Sequence, residues 1–267
     1  MARKKLILLT NDDGYAADGV NTLFRMLSRN HTVYLIAPDR EQSASSHSLT
    51  LNRPLRLHRL DKYRYTTDGT PTDCVMLGIH SLFKKKHPDM IISGINHGGN
   101  MGDDITYSGT VAAAIEGAIL RIPSLAVSMV RWEPGMPMTR AARFVARFLA
   151  VYQSMNLDPS VFLNINLPPD NGRPYHAFEY TRQGFRSYRD IVIHKTDPRG
   201  KAYYWIGGWP KWRSTPGTDF AAVQRGRISV TPMKLDFTDR EALERLGSGH
   251  APPKAATKQL TRRGLSL

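Results

Sequence analysis

Cysteine is nearly missing from this 267-residue sequence: Cys74 is the only one. A single thiol makes no internal disulfide and cannot found a cysteine-based zinc site. Long apolar runs are missing too, since none approaches the ~18–20 residues that cross a bilayer. The N-terminal bases lead straight into Leu6-Ile7-Leu8-Leu9, a run too short for a signal peptide and without a cleavage site. The expectation is a soluble cytoplasmic protein with no membrane partner. Acid is in short supply, with 23 Asp and Glu against 37 Lys and Arg and a net charge of +14. Such an excess attracts anions in general without saying which. What is plentiful is ordinary globular material, 41% hydrophobic, which excludes a disordered chain and suits one large domain with or without an appendage.

The bases are unevenly spread. Between Thr181 and Ser214, Arg182, Arg186, Arg189, Lys195, Arg199, Lys201, Lys211 and Arg213 face only Asp190 and Asp197. From Ser248 to Leu267 there are Lys254, Lys258, Arg262 and Arg263 and no acid. A polyanion would bind such an arm and tail, but a solvated face and a frayed terminus account for them equally simply.

Along the first two-thirds, short apolar runs alternate with helical patterns. Lys5–Thr10, Thr32–Ala37, Met90–Ser93, Leu125–Val130 and Val161–Leu167 read as strands. Val20, Leu23, Phe24 and Leu27 form one helical stripe, and Thr110–Leu120 and Thr139–Met155 read as further helices. Thr70 suits a helix cap, with Pro71 in the first turn and Asp73 at the positive dipole end. Leu49–Thr67, interrupted by Pro54, has the look of edge strands or a hairpin. The pattern predicts a doubly wound, Rossmann-like, mostly parallel α/β sheet over residues 1–180. Past Pro168, Pro, Gly, Tyr, Trp and Arg become frequent. Phe178–Thr181, Ala202–Ile206 and Ile228–Thr231 read as separate strands and Thr238–Leu246 as a helix. Residues 181–247 are therefore expected to form an extended β-rich C-terminal arm that packs partly on the core and otherwise on a partner subunit. Residues 248–267 are expected to be a disordered basic tail.

Open α/β sheets bind ligands beyond the carboxyl ends of their strands. There the sequence places Asp12 and Asp13, then Ser43, then Asn96. Adjacent carboxylates repel unless a cation or hydrogen bonds compensate, and this oxygen set suits magnesium, manganese or calcium rather than zinc. Either aspartate would alternatively cap the following helix. A glycine-rich stretch, with Gly98, Gly99, Gly102 and Gly109, runs into Ser108 and Thr110 at a helix start, an arrangement that favours phosphate. It is neither a Walker loop nor a dinucleotide-binding glycine fingerprint, so those two classes are excluded.

The blocks Leu9-Thr-Asn-Asp-Asp-Gly-Tyr15, Ala37-Pro-Asp-Arg-Glu-Gln-Ser-Ala44, Gly69-Thr-Pro-Thr-Asp-Cys74, Ser93-Gly-Ile-Asn96 and Tyr107-Ser-Gly-Thr-Val-Ala-Ala113 closely resemble, in order, those of the SurE (survival protein E) family of nucleotidases. Thr218-Asp219 and Ile228-Ser-Val-Thr-Pro232 resemble its C-terminal blocks. The resemblance implies a metal-dependent phosphatase of nucleoside 5′- and 3′-monophosphates, with some members also trimming polyphosphate. It implies one divalent cation per subunit, magnesium or manganese, on Asp12, Asp13, Ser43 and Asn96. It places phosphate against Gly98, Gly99, Asn100, Ser108, Gly109 and Thr110, and makes a homodimer or homotetramer through the arm. The basic tail has no counterpart in it.

Asp12 and Asp13 are the catalytic candidates, with Asp12 orienting or deprotonating an attacking water. An aspartyl-phosphate is the competing route, weakened because a metal-bound carboxylate is a poorer nucleophile. His97 would either donate a proton to the leaving alkoxide or point to solvent, and His47 carries the same two readings. Cys74 reads as a small buried hydrophobe. Tyr203, Tyr204, Trp205, Trp209 and Trp212 would stack nucleobases, although packing within or between subunits is the simpler reading. Zinc deacetylases also place paired aspartates after a first strand, but they need histidine ligands that do not flank Asn11–Gly14. Nucleic acid is the rival partner on charge alone, not favoured because no groove-reading element is visible.

Overall fold

A computed structural model of the chain describes residues 3–169, 175, 177–187, 192–206 and 211–247. The 248–267 tail and Trp209 lie outside the described residues. In order, the elements are β1 (Leu6–Thr10), α1 (Asp18–Leu27), β2 (Thr32–Pro38), β3 (Leu57–Arg59), β4 (Arg64–Thr67), α2 (Pro71–Leu77), β5 (Met90–His97), α3 (Gly109–Ile119), β6 (Ser124–Met129), α4 (Thr139–Ser154) and β7 (Phe162–Leu167). They continue as β8 (Phe178–Tyr180), β9 (Phe185–Ser187), β10 (Val192–Thr196), β11 (Ala202–Ile206), β12 (Lys211–Arg213), α5 (Asp219–Gln224), β13 (Ile228–Met233) and α6 (Arg240–Leu246).

Among the described residues, nine strands form the main sheet in the order β3-β4-β2-β1-β5-β6-β7-β13-β8. From β4 through β7 every pairing is parallel, with β3 closing one edge as an antiparallel hairpin and β13 lying antiparallel to β7. Alternation along the strands builds a core on each face. Ile7, Leu9, Ile92 and Val127 meet Val20, Leu23 and Leu27 of α1 and Ala141, Val145 and Phe148 of α4. Leu8, Ile36 and Ile91 on the opposite face meet Cys74 and Val75 of α2 and Ala113 of α3. Each such Leu, Ile or Val contributes about 1.5–3 kcal/mol by leaving water. Cys74 is fully buried, as its sequence context implied, and burial pushes its thiol pKa up.

The chain runs from β1 outward to β2 and β4, then returns to place β5 on the other side of β1. Strand order thus reverses between β1 and β5, and the crevice beyond their carboxyl ends is where such sheets bind ligands. The cap expected at Thr70 is a full capping box: its hydroxyl accepts from Asp73 N at 3.1 Å, and Asp73 Oδ2 accepts from Thr70 N at 2.9 Å.

Several boundaries differ from the sequence reading. The strand expected to stop at Ser93 continues to His97, with a shift of register against β6 between Ser93 and Asn96. The strand Val192–Thr196 carries no alternating pattern: among the described residues it pairs with β11 alone, and all five of its residues are exposed. The last helix begins at Arg240, where Asp239 Oδ1 accepts from Ala242 N at 2.9 Å. The chain divides into two compact units, Met1–Lys234 and Leu235–Leu267. The second is described through α6 and its left-handed C-cap Gly247.

Gly19 lies where α1 crosses β5. A Cβ there would sit 1.9 Å from the Ile95 carbonyl oxygen. Alanine would raise helix propensity by about 1 kcal/mol, but the clash is with backbone and cannot be relieved by a rotamer. Gly19→Ala is expected to destabilise the fold by roughly 2 kcal/mol net, read as a lower urea midpoint at unchanged m-value.

Candidate active site

The turn after β1 is built by its own polar groups. Asn11 Nδ2 donates to the Gly14 carbonyl at 2.9 Å, and Tyr15 N donates to Pro38 O at the same distance. The carboxylates that follow are not caps of α1, whose N-cap Ala17 makes no side-chain bond. Asp12 instead reaches α3: Oδ2 accepts from Thr110 N at 3.1 Å, and Oδ1 accepts from the Thr110 hydroxyl. Gly109 is required for this approach, because a Cβ would lie 2.7 Å from Ser45 Oγ and 3.0 Å from Asp12 Cβ. Ser108 caps α3 by accepting from Val111 N at 3.1 Å, which leaves its hydroxyl proton available to a ligand.

Asp13 points to β5, where Oδ2 accepts from His97 N at 3.2 Å. Asn96 donates through Nδ2 to Gly98 O at 2.8 Å, which turns its Oδ1 the other way. The loop after β2 is drawn in by Gln42 N donating to the Asp12 carbonyl at 2.8 Å. Ser43 on that loop is exposed, and its hydroxyl donates to Glu41 at 2.6 Å. The structure therefore gathers Asp12, Asp13, Asn96, Ser108, Gly109 and Thr110 at one crevice, with Ser43 at its rim.

Asn100 is placed differently from the phosphate contact expected of it. Its Nδ2 donates to Ser128 Oγ at 2.9 Å, its N–H donates to Asn166 Oδ1, and its carbonyl accepts from Asn164 and Asn166. Gly98 and Gly99 flank this anchor, and Gly98 N donates to Met129 O at 3.0 Å. His97 does not point to solvent: its ring stacks on Trp132 at 3.8 Å, and Nε2 accepts from Gly19 N at 3.4 Å. That bond leaves the proton on Nδ1, 3.6 Å from Asp13 Oδ1, and burial lowers the imidazole pKa. His47 is occupied elsewhere, 2.8 Å from buried Glu116 on α3.

Sequence reasoning missed Glu41, Ser45, Trp132 and the Ser128–Asn164–Asn166 cluster. Four serines within six residues gave no signal for which of them faces α3, whereas alternating asparagines in an apolar β7 were a readable clue. The Glu41 charge is felt by both Asp12 and Asp13. Burial, opposed by the Thr110 bonds, raises Asp12, and burial with the Asp12 charge beside it pushes Asp13 up to about 7. Among the described residues no Lys or Arg pairs with either, and Ser45 Oγ is buried without a hydrogen-bond partner. An all-oxygen donor set with uncompensated negative charge fits a hard divalent cation.

The fold and crevice together define an open α/β protein with an acidic ligand site capped by a helix N-terminus. The family model described as Survival protein SurE matches residues 7–190, and the chain belongs to the SurE family. It is 47% identical over 241 residues to the 5′-nucleotidase SurE of Geotalea uraniireducens (strain Rf4), covering 90% of this chain and 97% of that one. It is equally similar, over 243 residues, to that of Geobacter sulfurreducens, covering 91% and 92%. The crystal structure of the SurE protein from Aquifex aeolicus superposes with a TM-score of 0.81 at 39% identity, covering 90% of this chain and 98% of that one.

Without a cation, the folded chain keeps a proton on Asp13 that the unfolded chain releases near the ordinary aspartate value of 3.8. The folded state then binds more protons across that window, so stability falls as pH rises from about 4 to about 7. Chelator-treated protein is expected to lose melting temperature across this range, with a shallower slope in Asp13→Asn. Calorimetric scans at stepped pH check it.

Proposed function

We propose that this chain is a divalent-cation-dependent phosphomonoesterase that hydrolyses nucleoside 5′- and 3′-monophosphates, and short polyphosphate as a secondary substrate. The observation that carries this reading is a pair of adjacent carboxylates, Asp12 buried against the Ser108–Thr110 helix start and Asp13 largely shielded beside it, with no Lys or Arg partner among the described residues, at the switch point of the sheet. The names of the relatives supply the nucleotide.

Asp12, Asp13, Asn96 Oδ1 and the Ser43 hydroxyl would hold magnesium or manganese, Ser43 after giving up its bond to Glu41. When bound, such a cation neutralises phosphate charge and acidifies a water. The Ser108 hydroxyl and the Gly109 N–H would hold the phosphoryl oxygens as charge shifts onto them, since Thr110 N is already given to Asp12 and Val111 N to Ser108 Oγ. Water attacks phosphorus in line with the leaving ester oxygen; the P–O ester bond breaks as the new P–O bond forms, and the departing alkoxide takes its proton from solvent. Asp12 has both carboxylate oxygens engaged by Thr110, which favours Asp13 over Asp12 as the acceptor of the water's proton in this reading. His97, neutral and held between Trp132 and Gly19 N, positions Asp13 through its backbone N–H rather than protonating the leaving group.

Phosphate release from a panel of mononucleotides tests the reading. Activity is expected to vanish on chelation, return with magnesium or manganese, and fall at least about a hundredfold in kcat for Asp12→Asn. Retention of activity in the chelated protein or in the variant would overturn it.

Oligomerisation through the arm belongs to the same proposal. The β10–β11 hairpin exposes Tyr204, Trp205 and Ile206, the last at 85%. A lone two-stranded hairpin with such a surface is marginal in water, and a second subunit would cover it. Light scattering is expected to show a dimer or tetramer for the native chain and smaller species for the double variant Trp205→Glu, Ile206→Glu.

A further inference from the structure

The crevice around Asp12 and Asp13 is acidic, so the surplus of Lys and Arg is carried elsewhere. Part of it gathers at the opposite edge of the sheet, around the amino ends of β1 and β2. A cavity of about 460 Å³ opens there, lined by Leu6, Thr32, Tyr34 and residues 81–86. Lys84, Lys85 and Lys86 belong to that lining, and no acidic residue does. Its size falls within the ~300–1,000 Å³ of small-molecule sites.

The local chain explains the two sides of this cavity. Past α2 it makes one wider turn, Gly78–Leu82, which Phe83 N closes by donating to Gly78 O at 3.0 Å. Phe83 is buried, and the three lysines that follow stay in water. Tyr34 stands at 83° to two rings, Tyr63 at 5.2 Å and Phe83 at 5.1 Å, which fixes its orientation. Leu6, Tyr34 and Leu82 are only partly buried against the core, which leaves apolar surface facing the cationic rim.

The charge of that rim is uncompensated. Lys84, Lys85 and Lys86 enter none of the ion pairs among the described residues. The acids near this edge are already engaged. Asp89 accepts from Leu6 N at 2.7 Å and lies 4.0 Å from Arg3, and Asp61 accepts from Arg64 Nε at 2.6 Å. Lys5 and Lys4 add to the field: after burial, their charges are what lowers the pKa of His31, next to Thr32. Such a field draws in multiply charged anions.

We propose that this cavity binds a nucleoside triphosphate, at a site separate from the phosphatase crevice and independent of that reading. The nucleoside rests on Leu6, Tyr34 and Leu82, and the phosphate chain lies along Lys84, Lys85 and Lys86. A bare oligophosphate leaves the apolar side unused and a neutral heterocycle leaves the lysines unused, whereas a polyphosphorylated nucleotide engages both. Neither a carboxylate nor an imidazole lines the cavity to hold a cation or activate water, so the ligand is bound and not hydrolysed there. From Leu6 to Asp12 an extended chain spans about 20 Å, so the two sites do not overlap.

The test titrates the full-length chain, with magnesium present, with an ATP analogue whose β–γ bridge is a methylene group. The Kd is compared for the native chain, the double variant Lys84→Ala, Lys85→Ala, and a control, Arg143→Ala, Arg147→Ala, which removes the same charge from exposed positions of α4. The lysine pair is expected to weaken binding about tenfold and the arginine pair to leave it unchanged. Inorganic tripolyphosphate is expected to bind several-fold more weakly than the analogue, and equal binding would overturn the assignment to a nucleotide. Equal weakening by both pairs would reduce the effect to net charge and overturn the site. So would loss of binding in Ser108→Ala with none in the lysine pair, which would place the ligand in the crevice, or no binding to the native chain at all. Phosphate release from AMP is expected to be unchanged in the lysine pair. Its absence from the native chain would count against the phosphatase alone, since the titration decides the cavity either way.

Discussion

A carboxylate at the end of the first strand holds the start of a helix 98 residues later, and the crevice is organised by that contact. Asp12 takes both the N–H and the hydroxyl of Thr110, while its own carbonyl takes Gln42 N. Gly109 permits it by having no side chain where Asp12, Ser45 and Pro71 converge. One residue thus ties β1, the loop after β2 and α3 together. Desolvating that charge is costly, and the bonds from the helix N-terminus offset part of the cost. They do not extend to Asp13 beside it, which among the described residues accepts only the longer bond from His97 N, nor to the nearby Glu41 charge. A site assembled this way carries surplus negative charge at the point where a helix invites an anion, and the divalent cation of the proposed phosphatase would reconcile the two.

Most of the parallel sheet was legible in the sequence, because its strands are buried on both faces and read as continuous apolar runs such as Ile7–Leu9 and Met90–Ile92. The Thr70 cap and the helices at Thr110 and Thr139 were equally plain, since their signals are local. Asp12, Asp13 and Asn96 stood out once strand ends were identified. Their partners did not. The Thr110 bond to Asp12 closes a long loop, and no spacing rule foretells which of two adjacent carboxylates turns toward it.

The asparagine cluster shows a different kind of blindness. Asn164 and Asn166 occupy a strand whose six residues are all buried, so they read as interruptions of an apolar run. In the fold they hold the backbone of Asn100 from both sides, and Ser128 holds its amide. Asp219 does the same for Gly102, spending a buried carboxylate on three backbone N–H groups. Burial raises its pKa despite these bonds, which shows that desolvation is the larger effect there. A glycine-rich loop has little stiffness of its own, and its shape is imposed by polar groups from β6, β7 and α5. Residues that look like flaws in a core pattern are then the ones that set the geometry of the site.

The last third of the described chain divides by the same logic. β13 enters the main sheet between β7 and β8, burying Ile228 and Val230 fully. Its alternating neighbours Ser229 and Thr231 share hydrogen bonds with Thr181 at 2.8 and 2.7 Å, so the strand satisfies its polar face as well. Among the described residues, β10 and β11 pair with each other alone, and all ten of their residues are exposed. An edge of this kind, apolar on Val192, Tyr204 and Trp205 yet flanked by Lys195, Arg199 and Lys201, resists random strand addition through charge while offering a large apolar surface. The dimer or tetramer proposed above would bury that apolar surface and leave the basic side chains at its solvated rim, where two like-charged hairpins need not face each other.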